Sequence, residues 1–325
     1  MKICIFGGGS IGGLLAVNLE KIGINVSVIA RGKHLEVMKK NGLTLINSLG
    51  EETSCTVNCT DDPDSFGIQD YLFITIKSPA LLPSLENLKP LVGKNTTIIT
   101  CMNGIPHWYF HKLDNKYANY KIKCLDSDLL IDSILPPDNI VGSVVYPACE
   151  IVKPGTIKHI AGNRFSLGEP DGAESDRLKF ISEILKKAGF RAPIQKNIRD
   201  EIWLKLIGNL SFNPISALTG ATLEQICNDQ GTEAIVKEMM IEAKTIAEKL
   251  GAKINMSIEK RIDGARKVGA HKTSMLQDIE AGKPIEIDSI IVAVRELGEL
   301  TNSPTPNINT ILSLTIQKAK LVGCL

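Results

Sequence analysis

The chain has 325 residues, 43% hydrophobic and 22% charged, an ordinary globular composition and enough length for two domains. A formal charge of +1 and an aromatic share of 5% give no reason to expect nucleic acid or an anionic membrane as a partner. The eight cysteines are scattered without a CxxC pair, no apolar run approaches the roughly 18 residues of a membrane span, and no apolar leader precedes MKICIF, so a reducing cytoplasm is the expected compartment.

Residues 2–6 (KICIF) read as a short buried strand running into Gly7-Gly8-Gly9-Ser10-Ile11-Gly12, a G-x-G-x-x-G fingerprint. A helical segment closing at Gly23 and a second strand over 25–30 (NVSVIA) complete a βαβ unit. In that context Gly7 permits the tight turn, Gly9 admits a pyrophosphate against the backbone, and Gly12 brings helix and sheet together. The free N–H groups of Ser10, Ile11 and Gly12 at the helix start suit an anion. The alternative, a glycine-rich turn with no ligand, does not explain why strand, helix and strand all fall in place. An NAD site usually carries an acid about 20 residues after the fingerprint. Here Ala30-Arg31-Gly32-Lys33 stands there, with no acid until Glu36, which favours a 2′-phosphate and NADP; Arg31 as a plain solvated loop residue is the competing reading.

Two further strands follow, at 71–76 (YLFITI), ending in Lys77-Ser78-Pro79, and at 96–102 (TTIITCM), ending in Asn103-Gly104. Ligands of open α/β sheets sit beyond the carboxyl ends of strands, which sets Lys77 and Asn103 toward the cofactor, although either could be an ordinary loop residue. His107 and His111 have a metal-compatible spacing but lie beside Trp108, Tyr109 and Phe110 without an acidic or cysteine ligand, so packing or surface placement is preferred. Short β-branched runs over 140–168 read as antiparallel strands extending the sheet, and a turn cluster at 168–172 precedes a helix ending near Gly189.

From about Ile198 the pattern turns helical. Segment 200–214 (DEIWLKLIGNLSFNP) is apolar nearly all round, yet Lys205, Asn209 and Asn213 recur at i, i+4 and i+8 and stack along one stripe. Read alone, the stripe is either a solvent-facing seam or the wall of a polar site. Segment 233–250 is an amphipathic helix with Ile235, Met239, Ala243 and Ile246 on one face, closing at Gly251. Farther on come Ser274-Met275-Leu276-Gln277-Asp278, then Gly282-Lys283-Pro284 and Ile285-Glu286-Ile287-Asp288.

Together these blocks resemble the ketopantoate reductase family along essentially the whole chain: GGGSIG, the Arg31 region, IKSP, MNG, IWLKLIGNLSFNP, SMLQDIEAGKPIEID and Pro304-Thr305-Pro306. The fingerprint is common to many dehydrogenases; the K-x3-N-x3-N stripe followed by S-M-x-Q-D and E-I-D is far more specific. The resemblance implies an α/β fold with an N-terminal Rossmann domain (1–197) and an all-helical C-terminal domain (198–325) like that of 6-phosphogluconate dehydrogenase, with the site in the cleft between. It implies NADPH-dependent reduction of the C2 ketone of 2-dehydropantoate to (R)-pantoate, a step toward pantothenate and coenzyme A. Its site residues map onto a catalytic pair, Lys205 as general acid and Glu286 in contact with the substrate hydroxyl, and onto Asn103, Asn209, Asn213 and Ser274 as further substrate contacts. Gly7, Gly9, Ser10, Ile11, Gly12, Arg31, Lys77 and Asn103 would hold NADPH. The expected partner is a small 2-oxo acid, and the expected assembly, if any, is a homodimer. The chain departs from many members after Asp288, where Ser289-Ile290-Ile291-Val292 replaces a small Asn-Gly step.

Elementary chemistry fits these roles. A ketone receiving hydride develops negative charge on oxygen, which a positioned ammonium stabilises and protonates. Burial favours the neutral lysine, and a nearby carboxylate favours the charged one. Reduction of another branched 2-oxo acid keeps the same chemistry with a different substrate. A nicotinamide-sensing regulator has no need of Lys205, Asn209, Ser274 and Glu286 together.

Overall fold

Runs of β-branched and apolar residues, buried on both faces, build the main sheet of the first of two structural units. In the computed structural model, which describes residues 1–325, this unit comprises Met1–Met102 and Leu129–Ile198. Its strands in chain order are β1 (Ile3–Phe6), β2 (Val26–Ile29), β3 (Leu43–Ile46), β4 (Glu52–Cys55), β5 (Asn58–Thr60), β6 (Tyr71–Ile74), β7 (Thr97–Thr100), β8 (Ile140–Val145), β9 (Ala148–Lys153), β10 (Thr156–Ala161) and β11 (Phe165–Gly168). Its helices are α1 (Ser10–Lys21), α2 (Gly32–Asn41), α3 (Leu85–Leu88), α4 (Leu130–Ile134) and α5 (Asp176–Lys187).

The main sheet has the order β11-β8-β7-β6-β1-β2-β5. All its pairings are parallel except β11 with β8. The six parallel strands, counted along the chain, have the 3-2-1-4-5-6 order of a Rossmann fold, and the order reverses between β1 and β6. The strands expected over 140–168 do form, but they do not all extend this sheet antiparallel. β8 joins it in parallel, while β9 and β10 leave to form a second sheet, β4-β3-β10-β9. The second sheet covers the other side of α1, whose Gly12, Gly13, Leu14, Leu15, Ala16, Val17 and Leu19 are buried. A helix apolar all round needs cover all round, and the hairpin supplies it. Gly13 is the contact point: a Cβ there would overlap Ile157 of β10 and lie 3.3 Å from Leu43 of β3. At the far edge, Arg177 of α5 grips Glu169 through Nε–Oε1 at 2.7 Å and Nη2–Oε2 at 2.6 Å, a paired fork at the end of β11. All eight cysteines are free thiols, and burial pushes Cys4 and Cys149 up to about 12.

The second unit comprises Asn103–Asp128 and Arg199–Leu325. Its helices are α6 (Ile198–Thr219), entered one residue earlier, α7 (Leu223–Asn228), α8 (Gln230–Lys249), α9 (Ile258–Val268), α10 (Ser274–Glu280), α11 (Ala293–Leu300) and α12 (Pro306–Leu321). The single boundary expected between 197 and 198 is therefore crossed by Asn103–Asp128, which groups with the helices. The reason is its aromatic core: Trp108, Tyr109 and Phe110 are all fully buried. Trp203 Nε1 donates to the Tyr109 hydroxyl at 2.7 Å, and Arg199 donates to the carbonyls of Tyr109 (2.7 Å) and His111 (2.6 Å). Glu296 of α11 accepts from the backbone N–H groups of Lys123 and Cys124 and from the Tyr120 hydroxyl.

α6 runs to Thr219, past the expected end at Pro214, even though Pro214 offers no N–H to the Leu210 carbonyl. Burial of Leu210, Phe212, Ile215 and Ala217 on both sides of the proline holds the helix through it. On α8, Met239, Ala243 and Ile246 are buried as the pattern predicts, whereas Ile235 in its first turns is exposed. Glu242 of α8 accepts from the N–H groups of Asn307 (2.9 Å) and Ile308 (3.0 Å), capping α12 just after Pro306.

Candidate active site

At the switch point of the main sheet, the fingerprint glycines each answer to a specific steric demand. Gly7 has φ +111, and a Cβ on it would lie 2.7 Å from the Ile76 side chain. A Cβ on Gly12 would overlap the Gly7 carbonyl oxygen, while Gly9 faces open space with nothing within 4 Å. The N–H groups of Gly7 and Gly8 donate to the Ile29 carbonyl at 3.0 and 2.9 Å. The Thr75 hydroxyl donates to the Gly7 carbonyl at 2.6 Å, locking the turn from the end of β6. Thr75 was not singled out from the sequence; a threonine closing a buried strand carries no local signal of this contact.

α1 starts at Ser10 with no side-chain cap and no acidic residue in its first turn. Its positive end is therefore left to an outside acceptor, with the open space over Gly9 beside it. That combination fits a dinucleotide pyrophosphate. Arg31 is exposed at the carboxyl end of β2, in extended backbone immediately before α2. Lys77 is exposed past the end of β6, which borders β1. The structure thus gathers Gly7, Gly9, Ser10, Ile11, Gly12, Arg31 and Lys77 at the carboxyl ends of β1, β2 and β6.

In the second unit, the Lys205 ammonium of α6 donates to Asn103 Oδ1 at 2.6 Å, and Asn103 Nδ2 donates to Glu286 Oε2 at 2.9 Å. The amide thus presents its oxygen to the cation and its N–H to the anion, joining an acid and a base through one oriented group. Glu286 is buried at 6% exposure and Lys205 is half-buried. Asn103 is placed by its neighbour: Gly104 has φ +89, a Cβ on it would lie 2.5 Å from the Ser289 carbonyl carbon, and Ile105 N–H donates to that same carbonyl at 2.8 Å. Ser289 belongs to a π-helical turn, Asp288–Val292, that leads into α11. The turn at Asp288–Val292 is therefore the seat of the Asn103-Gly104 turn. Burial pushes the Asp288 carboxyl above its usual range. Glu286 is fixed from the other side by the Ile285 N–H, which donates to the Cys324 carbonyl at 3.0 Å.

Asn209 and Asn213 follow Lys205 along the same face of α6, the first half-buried and the second buried. Neither belongs to the hydrogen-bonded set of Lys205, Asn103 and Glu286. Ser274 is exposed at the first position of α10, next to Thr273, which caps that helix. Gly208, one turn from Lys205, is covered by Arg261 of α9: a Cβ on Gly208 would stand 2.7 Å from Cζ and 2.8 Å from Nε of the guanidinium. The sequence held one sign of this contact, a glycine in the middle of a helix with no turn to make.

A family described as "Ketopantoate reductase PanE/ApbA" matches residues 3–172, and "Ketopantoate reductase PanE/ApbA C terminal" matches residues 197–319. The 2-dehydropantoate 2-reductase of Mesorhizobium japonicum is 47% identical over 325 residues, spanning 100% of this chain and 99% of the relative. A crystal structure of a candidate ketopantoate reductase from Ralstonia solanacearum matches with a TM-score of 0.94 at 37% identity, over 100% of this chain and 99% of that one. D-mandelate dehydrogenase, solved with NADH and anilino(oxo)acetate, matches with a TM-score of 0.85 at 20% identity over 99% of each chain, a likeness of fold.

Proposed function

The chain belongs to the ketopantoate reductase family of oxidoreductases, and from that premise we propose that it reduces 2-dehydropantoate to (R)-pantoate with NADPH, a step toward pantothenate and coenzyme A. The observation that carries this reading is the hydrogen-bonded set Lys205–Asn103–Glu286 on a helical unit that follows a Rossmann unit. NADPH, when bound, supplies the hydride for the ketone carbon. The glycine turn and the start of α1 would hold its pyrophosphate, and Arg31 would supply the cation for the 2′-phosphate. Lys77 supplies a further cation at the carboxyl end of β6.

Lys205 holds the substrate's ketone oxygen through Nζ, stabilises the negative charge that develops there, and gives it a proton; solvent returns the proton to the amine. Asn103 keeps the ammonium aimed, since its amide oxygen already sits at hydrogen-bond distance. Glu286 accepts a hydrogen bond from the substrate hydroxyl. Asn209, Asn213 and Ser274 offer neutral donors and acceptors to the rest of the molecule.

The test is loss of NADPH absorbance with 2-dehydropantoate beside a panel of other 2-oxo acids. Preferential turnover of 2-dehydropantoate is expected. Turnover only of another 2-oxo acid would reassign the substrate, and no turnover of any would overturn the enzymatic reading.

A further inference from the structure

Behind Arg31 the chain is fastened at Ala30, whose N–H donates to the Thr60 carbonyl at 3.0 Å. Ahead of it the chain is loose: Gly32 has φ +59, and Gly32 and Lys33 are both exposed. His34 is the first side chain past Arg31 to be tied down, where the Gly155 N–H donates to its Nδ1 at 3.0 Å. Gly155 lies in the turn between β9 and β10, and its own carbonyl accepts from the Thr44 N–H of β3 at 2.9 Å. A Cβ on Gly155 would lie 2.5 Å from the Val37 side chain, so the turn is seated closely on α2. An Nδ1 that accepts requires a neutral ring with its proton on Nε2. Burial holds the His34 pKa below the usual histidine range, and the Gly8 backbone opposes that shift only in part. Nε2 is buried with no hydrogen bond of its own, so Nδ1 carries the ring's one fixed attachment.

We propose that His34 is a positioning residue for cofactor choice: through Gly155 it fixes the first turn of α2 and so presents Arg31 to a 2′-phosphate. The proposal rests on the reading of Arg31 as the residue that selects NADPH. Arg31 is exposed, caps α2 with no side-chain hydrogen bond, and is followed by a glycine in a left-handed conformation. A long side chain on such a hinge would spread its charge over many orientations. Tying α2 at His34, within one turn of Arg31, removes part of that freedom before the nucleotide arrives, which lowers the entropic cost of binding it. The effect belongs to NADPH rather than to both nucleotides, because the fingerprint turn is fixed separately. There the Ile29 carbonyl receives the N–H groups of Gly7 and Gly8, and the Thr75 hydroxyl holds the Gly7 carbonyl.

Fluorescence titration with NADPH and with NADH, in the absence of substrate, gives the ratio of their Kd values. The wild-type protein is expected to prefer NADPH. His34→Phe keeps a planar ring but loses the acceptor, and the preference should fall about fivefold through weaker NADPH binding, the scale of one lost hydrogen bond. His34→Asn, whose amide oxygen stands near the place of Nδ1, should restore most of it. In an Arg31→Ala background the same His34→Phe change should leave the ratio unmoved, because the two residues act as one unit. A ratio within twofold of wild type in His34→Phe, whatever its Tm, would make His34 a packing residue and overturn the proposal. An equal fall with and without Arg31 would overturn it as well. If His34→Phe does not fold, His34→Leu and His34→Asn decide by the same ratio. Failure of the underlying reading is visible separately: a wild-type protein with no preference for NADPH would overturn that reading, and the proposal with it.

Discussion

Lys205 donates to an amide oxygen 2.6 Å away, a distance at which the ammonium is aimed rather than merely nearby. Replacing it with alanine removes the proposed proton donor while leaving the apolar packing of α6 in place. Turnover should fall by roughly two to four orders of magnitude, measured as kcat at saturating NADPH. An unchanged rate would make the lysine structural. Arg31 makes a separate claim. Arg31→Ala should raise the Kd for NADPH about tenfold or more, the worth of charge-assisted hydrogen bonds to a phosphate, and change that for NADH little. Fluorescence titration with both nucleotides checks this, and equal weakening would remove its phosphate-binding role. Both residues were legible in the sequence from spacing: Lys205 from its stripe with Asn209 and Asn213, Arg31 from standing where an NAD site carries an acid.

Among the elements, the Asn103-Gly104 turn and the π-helical turn at Asp288–Val292 act as one support. The extra residue in a π-turn reshapes the backbone at Ser289, whose carbonyl receives the Ile105 N–H at 2.8 Å. Gly104→Ala would combine a left-handed φ of +89 with a Cβ 2.5 Å from the Ser289 carbonyl carbon. The backbone must shift, Asn103 with it, and kcat/KM should drop about 100-fold, the scale of an ångström's misplacement at a reacting centre. Steady-state kinetics beside a thermal unfolding curve separate that effect from simple unfolding. Sequence periodicity could not find this support, because a π-turn and an α-turn share one apolar pattern over five residues. The same limit explains β9 and β10: alternation marks them as strands but not which sheet they join.

For the whole molecule, the decisive feature is a chain that visits its helical unit twice. Asn103–Asp128 leaves the first unit after β7, and Leu129–Ile198 returns to it before α6 begins. Arg199 is a chief tie in that arrangement, since it serves the carbonyls of both Tyr109 and His111. Arg199→Met keeps the side-chain bulk but strips those carbonyls of a charged donor. It should destabilise the protein by roughly 2–4 kcal/mol, read as a lowered Tm, and blunt turnover through Asn103. An unchanged Tm would mean that the aromatic packing of Trp108, Tyr109 and Trp203 alone holds the segment.

By itself the sequence determined the local periodicities and the glycine fingerprint, hence a Rossmann unit followed by helices and a polar stripe that begins at Lys205. Each is written within a few turns or strands of chain, where side-chain spacing dictates which face is apolar. Only the tertiary structure decided what the stripe meets. Lys205 and Asn103 are 102 residues apart, and Asn103 and Glu286 are 183 apart. Contacts at that separation depend on how whole elements pack and leave no periodic trace. Gly208 and Arg261 are the same case, a steric fit between two helices that appears only when α9 is laid against α6.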